Sequence, residues 1–340
     1  MSFTSYFDKA VRYFRPFNWI NVEVTSKCNL KCTMCPRRAF ESPDKNMDRD
    51  LFVKLSRDFN LFKMVDLTGW GEPLMHPSFF EFVRIAKSKR CLVKYVSNGV
   101  AFNQSVAEET LKTGVDWIVF SVDSPDKTTY REIRGADLDK VASNIGYLSE
   151  LKKKNGLKYP LIDIAIVISR KNIAQLPEMV KYSKEIGASR LVVNNVHVIS
   201  KKEDIDILLF KIDQSQRIDE QQRDTAVAES KKTAAEVDLD LSFCFSSFEP
   251  KKLDRCVLDI EKTMFIDSEG NISACCDLGH PVPGYLDCNT VVKNTQLNFG
   301  NVRNQSIMEI YNSKAYADFR KRIKSGVPDE CRHCMLLKGI

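Results

Sequence analysis

Three closely spaced cysteines after a short apolar segment constrain this chain more than any other feature. Cys28, Cys32 and Cys35 are four and three residues apart, and they follow the run from Trp19 to Thr25, in which apolar and β-branched residues recur. That run is typical of a strand, so the cysteines are predicted on the loop that leaves its carboxyl end. Such loops form the ligand mouth of parallel α/β folds.

The cysteine spacing also limits the metal chemistry. Thiolates are soft ligands for iron–sulfur clusters, zinc or copper(I). Three cysteines on one short loop can bind three irons of a [4Fe–4S] cube and leave the fourth iron open. Structural zinc normally takes four closed ligands, which usually come from two CxxC-like pairs. We therefore favour an iron–sulfur cluster over zinc or a buried group of thiols.

This loop resembles the cluster loop of the radical S-adenosylmethionine (SAM) superfamily. The resemblance rests on the three cysteines, on the preceding Glu23-Val24-Thr25 and on Pro36, whereas Met34 stands where the family often has an aromatic residue. It implies that the open iron binds the amino and carboxylate groups of SAM. It further implies that reductive cleavage yields a 5′-deoxyadenosyl radical, which abstracts hydrogen from a substrate. An electron donor such as flavodoxin or ferredoxin is then expected as a partner.

Composition and charge exclude several other classes of protein. The 340 residues leave room for about two domains, and 43% hydrophobic residues are enough for a packed core. There is no apolar run long enough to span a bilayer. The net charge of +6 is spread along the chain, which argues against a nucleic-acid site. Eleven cysteines without a signal peptide favour metal-bound thiols in a reducing cytoplasm over a disulfide framework.

A second motif follows the strand predicted over Met64–Thr68. It reads Gly69-Trp70-Gly71-Glu72-Pro73, and it resembles the GGEP motif of the radical SAM family. Glycines let the backbone turn sharply and approach a ligand closely. The resemblance implies that Gly69, Gly71 and Glu72 contact the SAM amino group. The alternative is an ordinary turn between a strand and a helix.

Three further SAM contacts are implied by the resemblance. Ser97 closes a strand predicted over Leu92–Val96, and Ser121 follows one predicted over 115–120. Arg134 precedes a glycine, as in the family's RG ending, and its planar guanidinium suits a carboxylate. The alternative for Arg134 is a surface salt bridge.

Strands and helices alternate six times over the first 200 residues. This order predicts a parallel sheet with right-handed crossovers, and six units are fewer than the eight of a closed barrel. The family resemblance implies an α/β fold with an open, partial (β/α)6 barrel. His197 lies in the sixth predicted strand, Arg190–Ile199, and is either a substrate or acid/base residue or a satisfied core histidine.

A second set of cysteines lies in the last 90 residues. Cys256 precedes a hairpin predicted from Thr263 onwards, Cys275 follows it, and Cys331 and Cys334 form a CxxC pair near the end. By ligand count alone, these four thiols suit zinc as well as an iron–sulfur cluster.

The tail resembles the SPASM/twitch extension of radical SAM enzymes. The resemblance rests on Gly270-x4-Cys275, on Phe299-Gly300-Asn301-Val302, on the run 307–313 and on the CxxC pair. It implies an auxiliary [4Fe–4S] cluster bound by Cys256, Cys275, Cys331 and Cys334. Because the sequence ends six residues after Cys334, we expect one such cluster, as in the twitch form. Cys276 or Cys288 could replace Cys275 or join another ligand set, and Cys91 and Cys244 are expected to be buried.

The predicted organisation has four parts. They are an N-terminal helical extension over 1–18, the partial barrel over 19–200, a helical connector over 201–250, and a small α+β twitch/SPASM-like domain over 251–340.

The resemblance favours a radical SAM oxidoreductase. A second, fully ligated cluster can accept an electron from a substrate radical, which favours a two-electron oxidation of a small polar molecule. Known twitch enzymes with this chemistry are the dehydrogenases of aminocyclitol antibiotic pathways. One alternative is a peptide- or protein-modifying maturase, and another is a non-catalytic, zinc-stabilised binding protein.

Overall fold

In the computed structural model, the described residues are 14–40, 44–196, 198–211, 218–245, 247–248, 256, 258–280, 282–285, 289–293, 296–331 and 334. His197, Cys288 and most of the predicted N-terminal extension therefore lie outside the described residues. In the part of the chain that is described, no helix is long and apolar enough to cross a membrane.

A sheet of nine strands organises the fold. In chain order, its strands are β1 (Phe17–Val22), β2 (Phe62–Asp66), β3 (Leu92–Ser97), β4 (Trp117–Ser121), β5 (Leu161–Ile168), β6 (Arg190–Asn195), β7 (Asp240–Phe243), β8 (Thr263–Ile266) and β9 (Ile272–Ser273). Across the sheet the order is β7-β6-β5-β4-β3-β2-β1-β8-β9. All neighbours from β7 to β8 are parallel, and β9 is antiparallel to β8.

Helices lie between successive strands and in the tail. They are α1 (Arg49–Leu55), α2 (Phe79–Ser88), α3 (Gln104–Thr113), α4 (Lys127–Arg134), α5 (Leu138–Lys154), α6 (Leu176–Glu185), α7 (Glu220–Glu236), α8 (Cys276–Gly279), α9 (Ile307–Tyr311) and α10 (Lys314–Ser325). A two-stranded ribbon, β10 (Pro283–Tyr285) with β11 (Val291–Lys293), follows α8.

The six predicted strand–helix units are confirmed, and the fold is the expected α/β partial barrel. The sheet differs from the prediction at both of its edges, first at the edge formed by β7 and then at the edge formed by the tail strands. The segment expected to be a helical connector contains α7, but it also contains β7, which pairs with β6. The sequence analysis missed this strand because Leu239, Leu241 and Phe243 alternate with polar residues over too few positions to stand out.

The tail joins the barrel sheet directly. The predicted hairpin is present, and its first strand, β8, pairs in parallel with β1, with Ile20 opposite Met264. All four residues of β8 are buried. A strand in this position covers the edge of β1, which would otherwise present unpaired backbone groups.

The core lies where the strands meet the helices that cover them. Its centre is formed by strand side chains that are fully buried, among them Ile20, Val65, Val93, Ile118 and Ile164. Removing this apolar surface from water supplies the main driving force for folding. Because the strands are parallel, their carboxyl ends share one edge, and the loops that carry both predicted motifs lie there.

Ile20→Ala should destabilise the whole sheet. Ile20 has no exposed surface and lies on the strand between β2 and β8, so truncation removes contacts on both sides. We expect the free energy of unfolding to fall by about 2–5 kcal/mol in urea titrations followed by circular dichroism. Leu161→Ala is the matched control, since Leu161 is 36% exposed at the start of β5. An equal loss in both variants would contradict this account.

Candidate metal and cofactor site

The first three cysteines lie together on the loop after β1. Cys28, Cys32 and Cys35 are each half-buried. The backbone N–H of Cys35 donates to the carbonyl of Cys32 at 3.2 Å, which closes a turn between them. The N–H of Thr33 donates to the carbonyl of Ile133 in α4 at 2.9 Å, so the loop is fixed to the barrel.

Burial makes these thiols poor acids when no metal is bound. Burial is the main cause of the raised pKa of all three thiols, which for Cys35 reaches about 11, and neighbouring thiols of the same loop contribute for Cys28 and Cys35. Metal binding needs deprotonated thiols, and a bound cation offsets the cost of burying their charge.

The donor set fits an iron–sulfur cube better than a single ion. Within the described ranges, no three His, Cys, Asp or Glu side chains are arranged to hold one metal ion. In a cube each thiolate binds a different iron, so the sulfurs need not meet at one point. Three soft thiols on one loop are the ligands that such a cluster uses.

Two polar side chains approach the sulfurs. The Nδ2 atom of Asn98 lies 3.9 Å from Sγ of Cys28, and Nη1 of Arg134 lies 3.9 Å from Sγ of Cys32. Arg134 also donates from Nε to Oδ2 of Asp123 at 2.6 Å, and both side chains are at least nine-tenths buried. Arg134 is therefore no surface salt bridge. Donors to cluster sulfurs tune the reduction potential, so both residues could act on a bound cluster.

Glu72 is buried and already has hydrogen-bond partners. Its carboxylate accepts from the Ser97 hydroxyl at 2.9 Å, from the Asn98 N–H at 2.7 Å and from the Leu74 N–H at 3.3 Å. Burial raises its pKa to about 7, although these hydrogen bonds oppose the shift. Glu72 thus joins the second motif to the end of β3, and its contact with the SAM ammonium stays a prediction.

The two glycines of the second motif allow close approach to β1 and to the cysteine loop. A Cβ atom on Gly71 would lie 2.2 Å from the carbonyl oxygen of Thr25, and one on Gly69 would lie 2.3 Å from Cγ of Glu23. The Glu72 N–H also donates to the Lys27 carbonyl at 2.8 Å. The glycines are therefore required for packing inside the protein, whatever they contact in a ligand.

Ser121 lies at the same edge of the sheet, at the end of β4. It is one position beyond Phe120, which is the register partner of Ser97. The structure therefore places Ser97, Ser121 and Arg134 around one mouth, as predicted, but Ser97 is bonded to Glu72 and Arg134 to Asp123. Their contacts with SAM remain predictions.

A cavity of about 170 Å³ opens beside the cysteine loop. Its apolar lining includes Met34, Pro36 and Val167, and Asn195 adds an amide at the end of β6. Asn195 is 4% exposed, and neither of its amide atoms has a hydrogen-bond partner among the described residues. Sequence reasoning missed this residue, although a polar residue at the carboxyl end of a buried strand was a usable signal.

The four predicted thiols of the tail also come together. Burial, with Cys334 and Cys256 as charged neighbours, raises the pKa of Cys331 to about 12. Burial likewise raises the pKa of Cys275 well above its usual value, and Cys334 is again among the neighbours. Thiols from segments that are distant in the sequence therefore lie near one another, and their assignment to one shared cluster stays a prediction.

The adjacent cysteines face different surroundings. Burial and the nearby Asp277 raise the pKa of both thiols, but Cys334 is a further neighbour of Cys275, whereas Glu23 is a further neighbour of Cys276. This arrangement favours Cys275 as the tail ligand.

Cys91 is buried as predicted, but Cys244 is exposed, which corrects its prediction. It follows β7, an edge strand that leaves the next residue outside the core.

Comparisons with known proteins agree with this geometry. The Radical SAM superfamily model matches residues 22–183, and the SPASM iron–sulfur cluster-binding domain matches residues 256–335. The chain is 28% identical, over 94% of its length and 87% of the relative, to the tungsten-containing aldehyde ferredoxin oxidoreductase cofactor-modifying protein of Pyrococcus furiosus. It is 25% identical to a probable GTP 3′,8-cyclase of Methanocaldococcus jannaschii over 57% of this chain and 63% of that protein.

Two solved structures share the fold. Streptococcus suis SuiB bound to precursor peptide SuiA is 16% identical, with a TM-score of 0.65 over 99% of this chain and 74% of that chain. Native anSMEcpe with bound AdoMet is 18% identical, with a TM-score of 0.64 over 94% of this chain and 88% of that chain.

These findings establish the cofactors and the family together. The first domain binds SAM and a [4Fe–4S] cluster, and the second domain binds auxiliary iron–sulfur clusters. The chain belongs to the radical SAM superfamily and carries a C-terminal SPASM domain.

Proposed function

We propose that this radical SAM enzyme dehydrogenates a small polar molecule in a net two-electron oxidation. The observation that carries the proposal is a hydrogen bond between the loops that flank the two proposed cluster sites. Trp70, in the loop beside the first three cysteines, donates from its indole N–H to the carbonyl of Cys276 at 3.4 Å. Cys276 is the neighbour of the proposed tail ligand Cys275, so a short path joins the two sites.

The chain's own residues are proposed to divide the work as follows. Cys28, Cys32 and Cys35 bind the SAM cluster, and the four tail thiols bind the auxiliary cluster. When bound, SAM would supply the radical that takes one hydrogen atom from the substrate, the auxiliary cluster would accept the second electron, and the remaining proton would pass to solvent. The SAM contacts are assigned to Gly69, Gly71, Glu72, Ser97, Ser121 and Arg134.

The cavity beside the cysteine loop supports a small polar substrate by the chemistry of its lining. Its walls are mostly apolar, which suits a site that limits the access of water to a reactive radical. Asn195 offers one donor and one acceptor, which suit a polar group such as a hydroxyl. The similarity to a protein named as cofactor-modifying, which spans nearly the whole chain, also favours a small molecule over a peptide.

The two alternatives have less support. The likeness to peptide-bound SuiB concerns the fold alone, and oxidation or crosslinking of a peptide in place of a small molecule would overturn the proposal. A non-catalytic zinc protein disagrees with the match to the radical SAM family over the cysteine loop. The domain boundaries at 18, 200 and 250 remain part of the proposal.

The triple variant Cys28→Ala, Cys32→Ala, Cys35→Ala tests the first cluster. With one auxiliary cube, anaerobically reconstituted wild type should hold about eight irons, and the variant about half of them. The variant should form no 5′-deoxyadenosine under strong reductant. Elemental analysis measures the iron and zinc content, and chromatography measures the 5′-deoxyadenosine that is formed. SAM cleavage by the variant, or one zinc with no iron, would contradict the assignment.

Glu72→Gln tests the SAM amino contact. The substitution removes a charge that should meet an ammonium, an interaction worth roughly 1.5–3 kcal/mol, so SAM affinity should fall by about tenfold or more. In the wild type, affinity should also fall as the pH is lowered through about 7, because protonation neutralises Glu72. The variant should lack that pH response. Calorimetry on samples of equal iron content measures the SAM affinity and its pH dependence in the wild type and in the variant. An unchanged affinity in the variant would mean that Glu72 has a packing role only.

Cys275→Ser and Cys276→Ser form a matched pair for the tail. Cys275→Ser should lower iron content, retain SAM cleavage at saturating SAM and suppress oxidised product, because the second electron has lost its acceptor. Cys276→Ser should retain its iron. Iron loss confined to Cys276→Ser would reverse the ligand assignment. Full product formation by iron-depleted Cys275→Ser would show that the tail cluster is structural and would overturn the proposed oxidation.

A further inference from the structure

We propose that His280, a residue of the tail, positions the Gly69–Gly71 loop for SAM through the buried carboxylate of Glu23. Docking of the tail and binding of SAM would then be energetically coupled. The inference rests on the assignment of that loop to SAM in the proposed function. It does not depend on which substrate is oxidised.

Glu23 forms the barrel side of this link. It follows β1 directly and has no exposed surface. Its backbone N–H donates to the carbonyl of Ile266 in β8 at 2.9 Å, which fixes its main chain against the tail strand. Its Oε2 atom accepts from the backbone N–H of Trp70 at 2.8 Å. The carboxylate of Glu23 is therefore hydrogen-bonded directly to Trp70, the central residue of the Gly69–Gly71 loop, which is called the SAM loop below.

Gly69 makes the loop position depend on Glu23. A Cβ atom at Gly69 would lie 2.3 Å from Cγ and 2.5 Å from Oε2 of Glu23. The loop backbone therefore packs directly against this side chain. Any change in the orientation of Glu23 must move Gly69 or Trp70.

His280 forms the tail side of the link. Its Nε2 atom lies 3.1 Å from Oε1 and 3.2 Å from Oε2 of Glu23. Its ring stacks on Phe40 with centroids 4.6 Å apart, and Trp70 meets the same Phe40 edge-on at 6.1 Å. The tail histidine and the SAM loop thus share a buried carboxylate and an aromatic ring.

The position of His280 depends in turn on the tail ligands. The four residues of α8, Cys276–Gly279, separate it from Cys275, and the Cys276 carbonyl accepts from the Trp70 indole. A tail that is displaced at Cys275 cannot hold His280 against Glu23. The carboxylate would then be buried without its partner, which is costly, and it would have to reorient or take up water.

The coupling is reciprocal by thermodynamic necessity. If an intact tail favours the SAM-binding arrangement of the loop, bound SAM must stabilise the docked tail by the same free energy. SAM should therefore slow iron loss from the tail, and loss of the tail metal should weaken SAM binding.

The test uses the anaerobically reconstituted full chain with both clusters. His280→Ala should weaken SAM binding by about tenfold in calorimetry and reduce the change that SAM causes in the electron paramagnetic resonance spectrum of the reduced cluster. His280→Gln retains an N–H donor and should keep most of the affinity. Should His280→Ala lose iron on purification, Glu23→Gln serves instead, because it weakens the same link without leaving a cavity.

A matched control separates positioning from general docking. Oδ2 of Asp58 in the barrel accepts from the N–H of Ile307 in the tail at 3.1 Å, and neither residue belongs to the cysteine loop or to the glycine motif. Asp58→Ala should lower thermal stability but leave SAM affinity unchanged. If it weakens SAM binding as much as His280→Ala does, the specific role of His280 is wrong.

A double-mutant cycle and Glu72→Gln complete the design. In a Glu23→Gln background, His280→Ala should have a much smaller effect on SAM affinity than in the wild type, and additive effects would overturn the link. Unchanged affinity in His280→Ala while Glu72→Gln weakens binding would overturn this inference alone. Unchanged affinity in both would instead overturn the assignment of the loop to SAM.

Discussion

The pairing of β1 with a strand on each side is the constraint on which the rest of the structure depends. β2 pairs with one edge of β1, and β8 from the tail pairs with the other. The first cysteine loop follows β1, the glycine loop follows β2, and the hairpin that leads to Cys275 begins with β8. The three segments that carry the proposed metal and cofactor residues therefore follow β1 or a strand that is paired with β1. Backbone hydrogen bonds between these strands set the relative positions of the three segments.

Buried charge is the second principle of the site. Glu72, the Asp123–Arg134 pair and Glu23 all lie beneath the mouth, and each has hydrogen-bond partners on another element. Buried charges contribute little net stability, because desolvation offsets their attraction. Buried charges do, however, raise the free energy of every conformation in which one of their hydrogen-bond partners is missing. The loops around the mouth are thereby restricted to few conformations, which suits a site that must hold a reactive radical in place.

The sequence predicted what is encoded locally. The strands predicted over 92–96 and 115–120 are present as β3 and β4 with ends shifted by at most two residues, and the cysteine and glycine motifs lie at the predicted strand ends. It could not predict contacts between distant segments, because they leave no local pattern. His280 meets Glu23 across 257 residues, and β8 pairs with β1 without any signal in either strand for that partner. The position of Asn195 at the end of a buried strand was a local signal, but only the assembled cavity shows that its amide is buried there without a partner among the described residues.

The adjacent cysteines show how far three-dimensional context can resolve what spacing leaves open. By sequence, Cys275 and Cys276 are equivalent candidates for one ligand position. In the fold, an extended backbone at Cys275 precedes the short helix that starts at Cys276, so the two side chains leave the chain in different directions. Cys275 joins the tail thiols, and Cys276 lies beside Glu23 with its carbonyl bonded to Trp70. On the proposed assignment, Cys275 is a metal ligand, and the next residue is hydrogen-bonded to the Gly69–Gly71 loop. A displacement of the backbone at the auxiliary site would therefore also displace that loop.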